Sequence, residues 1–570
     1  GSIGLDIAPT AYGSITVIPV NFAHPNVTTP GRSLTYFWRT KSTGFTLGAA
    51  TVTHGYTYDQ ANVVTGAGIT EDEYVAARFD ISTSTWTKGS AADVDETGNI
   101  IGEPGTGNFL ENVAFIDGDY TAGDDNPTNP FGIPLIFYSR INGAGAGNGL
   151  WSSVNTWSTD PILKHTGAAA ATVPGISDIV VIGALDSVYL ATDVSWPYTT
   201  ANVGPRSCAS LQIEVGSALD IGYNPNSSFG MVLNHPGGNG NFRLTTSSAD
   251  GSVYVFPSGD FSDFNVNRGT TEFYTTNPNI GPIFILPPAV TSYGTVILSP
   301  LGGSNLALPN TSNVTIYGDL ICRGQSWESW LAMSWNGAYG AIVPKTVNVK
   351  GNLLVQSGSF VFVFNGATAQ NIIIDGDVIV SPGAGIDLWS SSNNTMLIGG
   401  NFVNNSDNSG PAIYGPPWAG SNVRLRFGAN VCDVIFFGNN SASITNDPLL
   451  SSTPSTTFNK ITVNKGNSQA TTLTLDIGGT LATLTDSWLT LQNGTLRYMR
   501  TDPGTDFAIS TTTPFTIPAT AGLYIDLPSN TGNRNILIGN ANDNAGDLLL
   551  SGKLTIINGN VYVGRTPGTD

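Results

Sequence analysis

The 570-residue sequence contains little charge, and basic residues are the scarcest part of it. Lys and Arg number 22 and Asp and Glu 41, so 11% of the residues are charged and the formal net charge is −19. An average soluble protein has roughly 25% charged residues. Nucleic acids and anionic lipid surfaces require clustered positive charge. We therefore expect no nucleic-acid partner. We also expect no membrane insertion, because no apolar run approaches the roughly 18 residues of a membrane helix.

Cysteine and histidine are also rare, which argues against several kinds of chemical site. The three cysteines lie more than 100 positions apart, so no CxxC metal or redox spacing exists, and burial as small apolar side chains is expected. No Gly-x-Ser-x-Gly or His-Glu-x-x-His motif occurs. We expect a non-catalytic protein without a resident cofactor. The cysteines are Cys208, Cys322 and Cys432, and the four histidines are His24, His54, His165 and His235.

Short β-prone runs separated by turn residues fill the first part of the chain. They are SITVIPV (14–20), LTYFWRT (34–40), EYVAARF (73–79) and NVAFI (112–116). No helix-length apolar period accompanies them. This pattern predicts a β-sandwich of immunoglobulin type over residues 1–136, without the disulfide pair and with Trp38 in its core. The Gly/Ala/Asn-rich segment 137–149 is predicted to be a linker.

An internal repeat dominates the rest of the chain. The phrase apolar-x-Gly-polar-apolar-x-apolar recurs as IYGDLIC, VKGNLLV, IDGDVIV and IGGNFVN, with its glycine at positions 318, 351, 376 and 400. Alternating strands of this kind bury one face only when successive coils stack on each other. The sequence therefore predicts an all-β protein in which a right-handed parallel β-helix occupies 150–570 and continues beyond residue 570. Val349 and Leu354 are both predicted to face its interior.

Aromatic residues recur at similar distances after the repeat glycines, which predicts a strip along one side of the rod. Such a strip could stack against sugar rings, since flat π-surfaces pack on apolar C–H faces. The alternative is that these side chains cover one another as a satellite core. The candidate carbohydrate-binding residues are Trp327, Trp330, Trp335, Trp389, Tyr414 and Trp418.

Four aspartates lie within nine residues at the end of the predicted sandwich. Clustered carboxylate oxygens suit calcium, although the spacing is not that of an EF-hand. A calcium ion that joins the sandwich to the rod is one hypothesis, and an Asp-rich turn that caps its own backbone is the other. The four residues are Asp117, Asp119, Asp124 and Asp125.

Several phrases together resemble a known family of surface proteins. They are FIDGDYTAGD (115–124), PFGIPLIFYSR (130–140), GLWSSVNTWSTDP (149–161), VPGISDIVVI (173–182), TSYGTVILSP (291–300), NVTIYGDLICRG (313–324) and LIGGNFVNNS (397–406). The chain from about residue 110 onward resembles the very large surface proteins that gliding bacteria export by the type IX pathway, the SprB-like gliding-motility adhesins. The resemblance implies an extracellular, cell-surface location and partners in the export and motility machinery.

These observations together predict an adhesin or spacer segment of a large bacterial surface protein that contacts polysaccharide or a solid substratum. The alternative is a β-helix module that binds or degrades polysaccharide. A third possibility is a filament segment with no ligand.

Overall fold

A computed structural model describes most of residues 2–564. The residues that it does not describe are 6–8, 28–29, 67–68, 91–92, 103–109, 125–129, 132–134, 142–146, 148, 176–177, 191–205, 225, 235–238, 280, 326–328, 336–340, 365–367, 388–393, 407–431, 447–455, 478–480, 484–487, 500–506, 511–513, 528–534 and 539–547, together with residue 1 and residues 565–570.

Two antiparallel sheets form the N-terminal region, as the alternating β-prone runs predict. One sheet has the spatial order Ser2–Leu5, Val52–Thr57, Ile100–Ile101, Val94–Asp95. The other has the order Ser14–Val20, Phe37–Thr43, Gly118–Asp124, Tyr74–Asp80, Thr85–Lys88. We call the second one the five-stranded sheet. Single turns of 3-10 helix cover Pro30–Arg32, Gln60–Asn62 and Glu71–Glu73.

Both sheets contribute side chains to one core, so they form a sandwich. Trp38 and Tyr120 of the five-stranded sheet are buried with Tyr56 and Ile101 of the other sheet. The rings of Trp38 and Tyr56 stack with their centroids 5.2 Å apart. The predicted sandwich and its predicted core tryptophan are therefore confirmed.

A parallel β-solenoid follows, and each full coil contributes strands to three faces. Face 2 contains the longest ladder, with strands Ser187–Tyr189, Ala218–Asp220, Asn241–Leu244, Thr270–Tyr274, Thr295–Ser299, Leu320–Arg323, Leu353–Ser357, Val378–Val380, Phe402–Asn404, Ala442–Thr445, Thr472–Asp476, the later part of Leu489–Tyr498, Ala521–Asp526 and Lys553–Asn558. All pairings along it are parallel.

Face 1 consists of the strand that precedes face 2 in each coil. Its strands are Ile136–Ser139, Ile179–Ile182, Ser207–Ile213, Ser228–Asn234, Ser258–Asp260, Ser292–Tyr293, Val314–Ile316, Thr346–Val349, Asn371–Ile374, Asn394–Ile398, Cys432–Gly438, Lys460–Lys465, the earlier part of Leu489–Tyr498, Phe515–Ile517 and Leu548–Leu550. A short strand, Trp157–Ser158, pairs antiparallel with the first of them.

Face 3 consists of the strand that follows face 2. Its strands are Ile283–Ile285, Asn305–Ala307, Trp330–Trp335, Ser359–Phe364, Gly385–Asp387, Thr456–Phe458, Leu481–Thr483, Phe507–Ser510, Asn535–Ile538 and Asn560–Val563. Helical structure in the described solenoid is limited to Ser262–Val266 and to the 3-10 turns Val154–Thr156 and Lys164–Thr166. No helix of the described residues is both long and apolar enough to span a membrane.

The solenoid begins earlier than the sequence predicts. Strand Ile136–Ser139 pairs in parallel with Ile179–Ile182, and Phe137 is fully buried in the solenoid core. Residues 137–139 of the predicted linker 137–149 therefore belong to the first coil, and the predicted boundary at 150 is too late. The glycines and alanines that follow indicated a linker, but the apolar run IFY before them already pairs with the next coil.

One continuous hydrophobic core runs through the coils, from Phe137 to Ile538. The repeat phrase places its apolar positions there: Ile316, Leu320 and Cys322 are all fully buried. The other two cysteines are buried as well, as predicted, and all three are free thiols. Because successive coils share this interior, no single coil needs to bury its own apolar face.

The repeat glycines are required because the side chain of the previous coil occupies their space. A Cβ on Gly376 would lie 2.4 Å from Oδ1 of Asn352, and a Cβ on Gly400 would lie 2.2 Å from Oδ1 of Asp377. These oxygens form a ladder up the corner between faces 1 and 2. The backbone N–H of Asp377 donates to Oδ1 of Asn352 at 2.8 Å, and that of Asn401 donates to Oδ1 of Asp377 at 2.6 Å.

The same ladder alternates carboxylate with carboxamide. Nδ2 of Asn352 donates to Oδ1 of Asp319 at 3.0 Å, and Nδ2 of Asn401 donates to Oδ1 of Asp377 at 3.1 Å. Alternation gives each carboxylate an amide donor in the next coil and keeps like charges from adjacent rungs. The Asp/Asn choice in the repeat phrase thus has a structural cause.

One predicted interior position is wrong. Val349 is fully buried, but Leu354 points outward and is half-buried, while its neighbours Leu353 and Val355 are fully buried. The Gly351-Asn352 corner brings Leu353 to the interior, so the alternation after the corner starts one residue earlier than predicted.

Candidate functional site

The four predicted calcium ligands do not converge among the residues that the structure describes. Asp119 and Asp124 lie on one strand at positions of opposite parity, so their side chains leave opposite faces of the five-stranded sheet. Oδ2 of Asp124 accepts from Arg32 at 2.7 Å. Oδ1 of Asp117 accepts the backbone N–H of Ser42 at 2.6 Å. Asp125 is outside the described residues, and the calcium hypothesis stays a prediction.

Asp119 is the centre of a buried ion-pair network on the outer face of the five-stranded sheet. Arg39 donates to it through Nε and Nη2, each at 3.0 Å. Nη1 of Arg39 makes a second ion pair with Asp260 of the solenoid. One guanidinium therefore joins a carboxylate of the sandwich to a carboxylate of the rod.

His24 completes this network in its neutral form. Its Nε2 lies 3.1 Å from Oδ2 of Asp119, and its Nδ1 accepts the backbone N–H of Asn26 at 3.2 Å. Acceptance at Nδ1 places the ring proton on Nε2, which donates to Asp119. Burial lowers the pKa of His24, against the opposing effect of Asp119.

The charges in this network are strongly coupled. Burial, the largest single effect, raises the pKa of Asp119, but the charge of Arg39 and the hydrogen bonds from His24 and Arg39 together outweigh it, and the net pKa is below its usual range. For Arg39, burial is the largest single effect and lowers the pKa, but the charge and hydrogen bonds of Asp119 together with the charges of Asp260 and Asp263 outweigh it and raise the pKa. Both side chains therefore remain ionised in the folded protein, and removing Arg39 would leave the buried charge of Asp119 without its cation.

Further contacts hold the sandwich against the early coils. Nη1 of Arg39 also lies 3.4 Å from Oγ of Ser262, and Lys41 Nζ lies 3.6 Å from Oδ1 of Asp263. A Cβ on Gly230 would overlap the side chain of Pro25, so the two chain segments touch closely. The sandwich is therefore seated on the rod through polar contacts and through the close approach of the Pro25 side chain to Gly230.

A cavity of about 910 Å³ lies beside this network, between the sandwich and the early coils. Apolar side chains from both regions line it, including Phe45 and Ile18 of the sandwich and Leu233 and Val266 of the solenoid. Ile18 and Val266 are about half exposed, at 46% and 58%. Ligand sites favour such concave, largely apolar spaces between domains, with a few polar groups to fix orientation.

The charged residues in the lining are balanced in sign. Arg78 lies against the ring of Phe115, 3.9 Å from its centroid, and it donates through Nη1 to Asp80 at 3.2 Å. The Lys41 side chain is 65% exposed. The full charged set is three cations and three carboxylates: Arg39, Lys41, Arg78, Asp80, Asp117 and Asp263.

The structure describes two of the six residues in the predicted aromatic strip. Trp330 and Trp335 lie on one face 3 strand, with ring centroids 6.0 Å apart. Trp335 belongs to a satellite cluster with Ile285, Ala332 and Val361 and is only 4% exposed, and the partly buried Trp330 packs against this cluster. The satellite-core alternative is favoured for Trp335. The other four candidates, Trp327, Trp389, Tyr414 and Trp418, lie outside the described residues.

The residues that build the junction carry no motif in the sequence. Arg39 and Asp260 are 221 positions apart, and neither belongs to the repeat phrase. One available signal was the alternation of the strand FWRTKST, which puts Arg39 and Lys41 on the face opposite to Trp38. Two cations on one sheet face indicate that an acidic surface packs against it, but they do not identify the segment of the chain that provides this surface.

No family model matches the chain, no curated protein matches it, and no solved structure matches it.

Proposed function

We propose that this chain is a non-catalytic adhesive and spacer segment of a large extracellular surface protein. The observation that carries it is the unbroken core from Phe137 to Ile538, with a continuous parallel ladder beside it. A rod of this kind transmits force through stacked main-chain hydrogen bonds. The low charge of the chain suits close approach to polysaccharide or to a solid surface.

The seating of the sandwich supports the same role. The Arg39 network and the Pro25–Gly230 contact attach the first region to the rod at several points. A contact surface on the sandwich can then move with the rod as one body. By the resemblance stated above, the proposal includes export by the type IX pathway, attachment to the cell surface through other parts of a longer protein, and a role in gliding.

A flow assay tests this proposal. Beads that carry the chain are passed over films of neutral polysaccharide and over bare glass, and the retained fraction is measured. We expect retention above that of beads carrying Val349→Asp, because an aspartate in the dry interior disrupts the rod. Equal retention by the two bead types would contradict the proposal.

The second candidate, a module that binds or degrades polysaccharide, draws on the cavity between the sandwich and the rod. A reducing-sugar assay on the same films separates the two outcomes. Retention without release of reducing ends supports adhesion, and release of new reducing ends supports an enzyme.

A further inference from the structure

We propose that the cavity between the sandwich and the early coils binds a neutral oligosaccharide. The inference rests on the proposed function and names the part of the molecule that would recognise a polysaccharide. It moves the expected sugar contact from the face 3 tryptophans to a site at the other end of the chain.

The cavity has the size and shape for several sugar units. Its volume of about 910 Å³ is near the upper end of the roughly 300–1,000 Å³ typical of ligand pockets. Both regions of the molecule contribute walls, and Ile18 and Val266 leave apolar surface exposed inside it. Sugar rings present apolar C–H faces that can lie against such surface.

The charge balance of the lining selects the class of ligand. The three cations and three carboxylates of the lining cancel, so the cavity wall itself offers no net charge to an anionic or a cationic polymer. Hydroxyl groups both donate and accept, so a neutral sugar can use the Lys41 ammonium as a donor together with carboxylate acceptors. Lys41 is the most available donor, since its ammonium is largely exposed and its acidic partner is 3.6 Å away.

Only part of the lining is committed to holding the structure together. Arg39 and Arg78 donate to neighbouring protein oxygens. Lys41, Ile18 and Val266 line the space without such a role among the described contacts, apart from the long Lys41–Asp263 pair. Substitutions at these three positions can therefore alter binding without removing the junction.

Calorimetric titration with hexasaccharides tests the inference. The probes are cellohexaose and laminarihexaose as neutral ligands, the hexamer of galacturonate as an anion, and the chitosan hexamer as a cation. We expect a neutral hexamer to bind more tightly than either charged one. Val266→Arg, which fills the cavity, should weaken that binding at least tenfold, and Lys41→Ala should weaken it severalfold.

Ile162→Arg is the matched control, because Ile162 is 87% exposed and does not line the cavity. It should bind as the original chain does, and all three variants should keep its melting temperature. The inference is overturned if no neutral hexamer binds, if a charged hexamer binds more tightly, or if Val266→Arg binds normally. Bead retention separates the two proposals. If Val266→Arg beads are retained as well as the original, the cavity is not the adhesive site, but the proposal of adhesion stands. If beads carrying the original chain are not retained, the proposal of adhesion fails.

Discussion

The sandwich and the solenoid use buried polar groups in different ways. In the sandwich, Asp119, Arg39 and His24 form an ion-pair network inside the protein. In the solenoid, two buried lysines, Lys345 and Lys465, donate instead to main-chain carbonyls of neighbouring coils. The coil stack already satisfies its backbone, so its interior can be almost entirely apolar. The sandwich uses paired charges that fix how it sits on the rod.

The largest effect should follow from placing a charge in the dry interior of the solenoid. Val349→Asp should lower the free energy of unfolding by about 5 kcal/mol or more, because the buried carboxylate has no partner. Leu354→Asp, five residues later on the outward side, is the matched control and should cost under about 1 kcal/mol. Denaturant unfolding of both variants measures the difference. Equal losses would contradict the register described for this coil.

The next largest effect should come from the sandwich network. Arg39→Ala leaves Asp119 buried without its main cation, and breaking a buried pair costs about 3–5 kcal/mol. Lys41→Ala, two residues along the same strand face, removes only an exposed pair and should cost under about 1 kcal/mol. Scanning calorimetry of thermal unfolding measures the loss of stability in each variant. A small loss in Arg39→Ala would show that the network contributes little to seating the sandwich.

A third prediction concerns pH and the second buried histidine of the sandwich. Nε2 of His54 donates to the carbonyl of Phe115 at 3.0 Å, and burial lowers the pKa of His54 to about 4. Between pH 6.5 and 4 the unfolded chain takes up a proton at this position and the folded one does not. The free energy of unfolding should therefore decrease as pH falls through this window, by roughly 3 kcal/mol at about 1.4 kcal/mol per pKa unit.

The control for that prediction is His54→Gln, which keeps an amide donor but cannot titrate. Its free energy of unfolding should vary less between pH 6.5 and 4 than that of the original chain. If the two pH profiles have the same slope in this window, then His54 does not cause the acid sensitivity.

The smallest effect should come from a methyl group at a repeat corner. Gly376→Ala forces a Cβ against Oδ1 of Asn352 and the carbonyl of Gly351, and overpacking of this kind costs about 1–3 kcal/mol. Gly175→Ala is the matched control, since its nearest neighbour would be 3.5 Å away. Amide hydrogen exchange at the neighbouring corner amides would report the local loss. Unchanged exchange in Gly376→Ala would mean that the corner has more room than the structure gives it.

The solenoid could be predicted from the sequence because the residues that define each coil lie close together in the chain and recur from coil to coil. Each Gly-Asp or Gly-Asn pair marks a corner, and residues such as Ile316 and Cys322 lie at fixed distances from it. The prediction for Leu354 was wrong because the exact point where alternation resumes after the corner depends on the corner's backbone path. The start of the solenoid was misplaced because parallel pairing between 136–139 and 179–182 joins segments more than 40 residues apart.

The candidate site could not be predicted in the same way. Arg39 and Asp260 are brought together only when the sandwich docks on the rod, and no periodic pattern connects them. The cluster of aspartates predicts a cation site, but Asp119 and Asp124 each have a protein cation as partner. Local sequence reveals that charges are clustered, whereas tertiary contacts decide what neutralises them.

We propose above that the chain is a continuous, force-bearing rod that holds a surface. Single-molecule force spectroscopy tests it most directly, with the C-terminal end tethered to a probe that is lowered onto a neutral polysaccharide film and withdrawn. We expect one detachment event from the film, with no earlier extension from unfolding of the coils. Stepwise lengthening of the chain before release, or withdrawal without any adhesion, would contradict it.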